Sequence, residues 1–179
     1  AIAGSLRRLA GLSEKLLQLA KAEGGGLVAE RPAPLGPVLR LVIDEIDRRR
    51  DIAERLVVET VEGGDAPSDL DPDAFAILAR NLVENAVIHG AEDGRIVVRF
   101  DGRVLEVEND GAAVAPEVLE RLGRRFERGV TRGEGSGLGL AIVAAICRGV
   151  GARFEMVSPA PGRADGVLAR VHLATAARS

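Results

Sequence analysis

Over residues 1–23, Ile2, Leu9 and Leu16 recur every seven positions, and Ser5, Leu12 and Leu19 repeat the spacing in the complementary register. Arg8 and Lys15 flank that seam, so the stretch predicts one amphipathic helix. Gly4 and Gly11 each weaken it by about 1 kcal/mol. It is either a helix packed on its own domain or, the reading favoured here, half of a helical hairpin that dimerises. Gly24, Gly25 and Gly26 then stop the helix and read as a hinge. A short apolar strand near Leu27–Ala29 and a proline-punctuated turn are expected next. A helix of about 14 residues follows, with Val38, Leu41, Val42 and Ile46 on one face. Leu56–Val61 is β-branched and strand-like.

Asp71 and Pro72 give a strong helix start, with the carboxylate at the N-cap and proline at the first helical position. The buried side of this helix is predicted to carry Phe75, Leu78, Leu82, Val83 and Ala86. Two strands, Arg95–Phe100 and Arg103–Glu108, flank Asp101 and Gly102, which read as a two-residue hairpin turn. That turn pairs Val98 with Leu105 and Ile96 with Val107. A polar, glycine-rich stretch runs from Asn109 to Gly137, before an apolar helix over Leu138–Arg148 and strands at Ala152–Ser158 and Gly166–Ala174. The expected fold is α/β (α+β): a two-layer sandwich whose mixed, largely antiparallel sheet is covered on one face by helices, preceded by the amphipathic helix.

Composition narrows the chemistry. The 179 residues are 46 % apolar but only 2 % aromatic, without Trp or Tyr, so the core must be aliphatic. Few rings and a formal charge of −3 argue against nucleic acid, which asks for stacking platforms and a basic face. The single cysteine, Cys147, excludes an internal disulfide and a cysteine-based zinc site. No apolar run approaches the length needed to cross a bilayer, and no signal peptide is visible. The first residue is Ala rather than Met, which suggests a piece of a longer protein.

Three features carry candidate chemistry. Asn81, Asn85 and His89 recur every four residues and share one helical stripe. Such amides either cap a neighbouring loop or offer carbonyl oxygens to a hard cation such as Mg2+. At the hairpin's end, Glu108, Asn109, Asp110 and Gly111 precede small residues, which reads either as an ordinary turn or as backbone open to a flat ligand. The third is Gly133-Glu-Gly135-Ser136-Gly137-Leu138-Gly139, running straight into an apolar helix. Exposed N–H groups beside a helix N-terminus make an anion site. No Gly-Lys-Ser/Thr follows, and the spacing fails the dinucleotide fingerprint.

Together with Arg125-Phe126-Glu-Arg128-Gly129, these motifs resemble in order and spacing the N, G1, F and G2 boxes of sensor histidine kinases, from about Leu27 to the C-terminus. Leu16, Leu17 and Leu19 look like the second helix of the kinase dimerisation domain. The resemblance implies a domain division of 1–23 for that partial helix, 24–26 for the hinge and 27–179 for an ATP-binding catalytic domain of the GHKL superfamily. It implies ATP and Mg2+ as ligands, with Asn85 on the metal. Asn81, His89, Asn109, Gly111, Ala113, Phe126, Arg128, Gly129, Gly133, Gly135, Ser136, Gly137, Leu138 and Gly139 fall at its other nucleotide-binding positions. A lid over about Ala115–Ser136 would have Phe126 as its apolar latch and Arg128 near the phosphates.

The same resemblance implies a transferred γ-phosphate, relay to a response regulator, a homodimeric full-length protein, and a cytoplasmic domain whose parent can be anchored in the inner membrane. The acceptor histidine is missing: His89 belongs to the N box and His172 to the polar face of a strand, so this chain is not expected to label itself. Three positions depart from the pattern. Asn109 replaces the G1 aspartate, Ala113 its second glycine, and Ile88 a usual Lys or Arg, which together imply weaker ATP binding. They also support the alternative of a degenerate, partner-holding module. An anti-sigma-factor-type serine kinase is the other alternative, disfavoured by Asn81 where that group carries Glu.

Overall fold

The computed structural model describes residues 17, 18, 20, 22–50, 52–60, 66–120, 122 and 137–174. Of the amphipathic segment, Leu17, Gln18, Ala20 and residues 22–24 are helical, and every position of its heptad seam lies outside the described residues. Gly25 and Gly26 end it at φ +89° and +79°, conformations that favour glycine. Beyond them run β1 (Val28–Pro34), α1 (Gly36–Arg50), β2 (Leu56–Thr60), β3 (Pro67–Leu70), α2 (Pro72–His89), β4 (Ile96–Phe100), β5 (Val104–Asn109), α3 (Gly137–Gly149), β6 (Arg153–Val157) and β7 (Val167–His172).

The main sheet is mixed, in the order β2-β4-β5-β7-β6, with β2 parallel to β4 and every other pairing antiparallel. Its inner face contributes Ile96, Val98 and Phe100 from β4, Leu105 and Val107 from β5, and Ala169 and Val171 from β7. Helix α2 lies between α1 and α3 and touches β4 and β5, so the helices form one layer over that face. Asp71 caps α2 as expected, its carboxylate accepting from the N–H groups of Asp73 and Ala74 at 3.0 Å. All five residues predicted for its buried side are buried. Phe75 meets Phe100 with ring centroids 5.2 Å apart, and the rest of the buried core is aliphatic apart from Cys147, with Phe154 and Met156 packed against it.

Three local expectations are corrected. Leu41 is 69 % exposed, and the apolar stripe of α1 is Leu39, Val42, Ile43 and Ile46, spaced three and four apart. The proline-punctuated stretch after Leu27 is not a turn: residues through Pro34 form an exposed strand that pairs with β3 in a separate two-stranded sheet. Proline is tolerated on such an edge. In the hairpin, Val98 pairs with Val107, Phe100 with Leu105 and Ile96 with Asn109. The two central turn residues are Gly102 and Arg103, because Asp101 Oδ1 accepts from both Arg103 and Val104 N–H, and Gly102 takes φ +88°. The slip is two residues, so inward and outward positions are unchanged.

Candidate functional site

Alternation along β5 sends Leu105, Val107 and Asn109 to the buried face. Asn109, 5 % exposed, is therefore a polar group where the pattern calls for an apolar one. Its Nδ2 donates to the carbonyl of Asp110 at 3.1 Å, and no buried side-chain nitrogen or oxygen among the described residues lacks a partner. The chain then turns through Asp110 and Gly111, the latter at φ +154°, which costs a side-chain-bearing residue strain.

This turn is seated on the exit of α2. The Ala91 N–H donates to the Asp110 carbonyl at 2.8 Å, and Asp110 N–H to the Arg95 carbonyl at 3.0 Å. A Cβ on Gly90 would come within 2.6 Å of the Ala86 carbonyl, 3.2 Å of the Asp110 carbonyl and 3.3 Å of Asn109 Nδ2. Glycine is what lets the helix end and the strand end approach this closely. From the other side the β6–β7 loop closes in. Gly166 N–H donates to the Gly111 carbonyl at 2.7 Å, and a Cβ on Gly166 would fall 2.9 Å from the Asn109 carbonyl. Ser158 Oγ accepts from Val114 N–H and donates to the Gly166 carbonyl.

Charge fixes the same turn. Asp110 Oδ2 accepts from Arg95 N–H at 2.9 Å and Oδ1 from the Arg163 guanidinium at 2.6 Å. The Arg95 N–H first, and the Arg163 guanidinium beside it, hold the Asp110 carboxyl below its ordinary range despite partial desolvation. Arg55 secures the α2–β4 loop, donating to the carbonyls of Gly94 and Ala91.

Of the candidate site residues, the structure brings the end of the N-box helix and the G1 turn into contact. On α2 the stripe runs from buried Asn81 through half-buried Asn85 to exposed His89. Asn81 Nδ2 donates to the Ile77 carbonyl at 2.8 Å and lies 3.4 Å from Gln18 Oε1 of the N-terminal helix. Ala113 is exposed beyond Gly111, and Gly137, Leu138 and Gly139 open α3, which packs along α2. Phe126, Arg128, Gly129, Gly133, Gly135 and Ser136 lie outside the described residues, as does most of the expected lid; residues 116–120 are helical. Arg163, Ser158 and Gly166 were given no site role from sequence, and Asp110 was named there only as a member of the hairpin-end motif. Only the Gly-Val start of β7 gave any hint, since the other contacts span 44 to 53 residues of chain.

A family model described as "Histidine kinase-, DNA gyrase B-, and HSP90-like ATPase" matches residues 70–175. The sensor protein CseC of Streptomyces avermitilis is 31 % identical over 157 residues, which is 87 % of this chain and 30 % of that protein. The sensor protein kinase PmrB of Pseudomonas aeruginosa is 33 % identical over 152 residues, 79 % of this chain and 31 % of its own length. Among solved structures, the Acinetobacter baumannii histidine kinase AdeS superposes with a TM-score of 0.70 at 20 % identity, covering 96 % of this chain and 81 % of that one, a likeness of fold. The chain thus spans under a third of the length of these two sensor proteins.

Proposed function

The chain belongs to the histidine kinase-, DNA gyrase B- and HSP90-like ATPase family, and from that premise we propose that it binds Mg-ATP and passes the γ-phosphate to a histidine outside this chain. The observation that carries the reading is the turn Asn109–Gly111 locked against Gly90 and Ala91. It puts a buried polar side chain and close-approaching backbone beside the exit of the Asn81–Asn85–His89 helix. In this reading Asn109 and Gly111 face the base, Gly137, Leu138 and Gly139 open the phosphate side, and Asn85 holds the metal. The donor chemistry fits: Asn85 is half-buried on α2, so its amide oxygen, a hard donor, is open to a bound cation. Mg2+ would take one amide oxygen from Asn85 and the rest of its shell from phosphate and water. Phosphoryl transfer needs positioning and charge neutralisation more than covalent help, and the fold supplies the first.

The partners that follow are the dimerisation and phosphoacceptor helices of the parent protein and a response regulator, with the domain working on the cytoplasmic side. No helix among the described residues is long and apolar enough to cross a membrane. Calorimetric titration of the chain with ADP and a non-hydrolysable ATP analogue, with and without Mg2+, tests the reading beside Asn85→Ala. Mg2+-dependent binding lost in the variant supports it. No binding at millimolar nucleotide overturns it in favour of a partner-holding module. Incubation with γ-labelled ATP should leave the chain unlabelled, and label on His89 or His172 would break the assignment.

A further inference from the structure

We propose that Arg163, acting through Asp110, is a positioning residue for the base end of the nucleotide; the proposal rests on the ATP reading of this site. The Asn109–Gly111 turn has little of its own to hold it. Gly111 sits in a region of backbone space open almost only to glycine, and a glycine turn is entropically costly to keep in one shape. Its restraints come from three directions. The α2 exit supplies the Ala91 N–H, and the start of β4 supplies the N–H and carbonyl of Arg95. The β6–β7 loop supplies the Gly166 N–H and the Arg163 guanidinium.

Among the described residues of that loop, Arg163 is the side chain that reaches the turn's carboxylate, and it makes four contacts to three oxygens, one from each of three acids. It lies 2.6 Å from Asp110 Oδ1 and 3.4 Å from Glu108 Oε1, while Nε and Nη2 hold Asp165 within its own loop at 3.1 and 2.8 Å. Take it away and Asp110 loses its guanidinium partner, while Glu108, two residues earlier on the same strand end, keeps Arg99 at 3.0 Å, so the unbalanced charge falls on Asp110. On its inner side Asp110 lies close against Gly94, where an added Cβ would sit 2.8 Å from the Asp110 Cβ. Relief must come through the backbone of the turn, which carries Asn109 on one side and Gly111 on the other. The depressed Asp110 carboxyl agrees with a group that is ionised and paired in the folded chain.

The test is calorimetric titration of wild type, Arg163→Ala and Arg163→Lys with ADP, adenosine and pyrophosphate, with amide exchange followed at Ala91, Gly166 and Ala169. An exposed ion pair has a modest effect, so Arg163→Ala is expected to weaken ADP and adenosine together by about fivefold. Pyrophosphate affinity should be unchanged, and Arg163→Lys, which keeps a cation, should recover most of the loss. Exchange at Ala91 and Gly166 should quicken several-fold while Ala169, inside β7, stays as in wild type. That split separates positioning from general damage, which would move all three ligands and all three amides. Wild-type binding that Arg163→Ala leaves within about 1.5-fold, with unchanged exchange at Ala91 and Gly166, overturns the proposal while leaving the ATP reading intact. A wild-type chain that binds no ADP overturns both.

Discussion

Asn109 is a buried amide on a face whose other β5 positions are Leu105 and Val107, and its cross-strand neighbours are Ile96 and Val167. An amide can give one bond and take another; here it gives Nδ2–H to the Asp110 carbonyl. A carboxylate at this position could only accept. Asn109→Asp would therefore lose that bond and set a second negative charge next to Asp110, at a cost of about 1–3 kcal/mol in the free chain. With an adenine amino group present, the same carboxylate offers a charge-assisted acceptor, about twice as strong as a neutral one. The expected outcome is a lower melting temperature without ligand and a larger upward shift on adding ADP than wild type shows. A variant that melts higher alone, or gains less from ADP, would overturn the proposed place of Asn109 beside the base. The sequence marked Asn109 through the motif alone, because the expected strand stopped at Glu108 and its burial follows only from the observed register. The roles of Asp110 and Arg163 were not legible there, since what matters about them is a contact made across 53 residues of chain.

At the scale of elements, strongly patterned segments could be read directly: α2 with its cap, the β4–β5 alternation and the apolar run of α3. Weakly patterned ones could not, and β1 with its prolines acquires its strand only by pairing with β3 far along the chain. The outward face of the main sheet shows an order invisible in any single strand. Glu59, Arg99, Glu106, Arg170 and Glu155 lie in one row of register across β2, β4, β5, β7 and β6, alternating in sign. Arg99 meets Glu59 at 2.7 Å and Glu106 at 3.9 Å; Arg170 meets Glu106 at 2.6 Å and Glu155 at 3.0 Å. Cross-strand pairs of opposite charge favour this register and keep an uncovered sheet face hydrated. Arg170→Met would leave two glutamates facing each other across one strand. After allowance for solvent, urea unfolding should register a loss of about 1 kcal/mol. Adding Glu106→Gln should return part of that loss, because the repulsion goes with the charge. Equal stability of Arg170→Met and wild type would show that the row is surface decoration only.

For the molecule as a whole, titration joins parts that share no contact. Glu45 ties α1 to α2 through Arg80, Asp110 pins the turn, and Glu155 closes the charged row beside Arg170. Their carboxyls lie below the ordinary 4.5, 3.8 and 4.5, chiefly through the Arg80 guanidinium, the Arg95 N–H and the Arg170 guanidinium respectively. Below those ordinary values the unfolded chain takes up protons that the folded chain still refuses, so acid favours unfolding. Their contribution is whole above about pH 4.5 and is lost as pH falls through the depressed folded values. Cys147 sets the opposite limb: burial in α3 pushes its thiol from 9.0 up to about 12. There the folded chain keeps a proton that the unfolded chain gives up, so stability falls as pH rises from 9.0 towards 12, by roughly a few kcal/mol. Chemical unfolding measured across pH should show a plateau with two shoulders. Glu155→Gln should flatten part of the acid shoulder and leave the alkaline one alone, whereas Cys147→Ala, somewhat less stable at neutral pH, should flatten the alkaline shoulder only. If Cys147→Ala kept the full alkaline loss, the thiol would titrate alike in the folded and unfolded chains, and its burial in the core would be wrong.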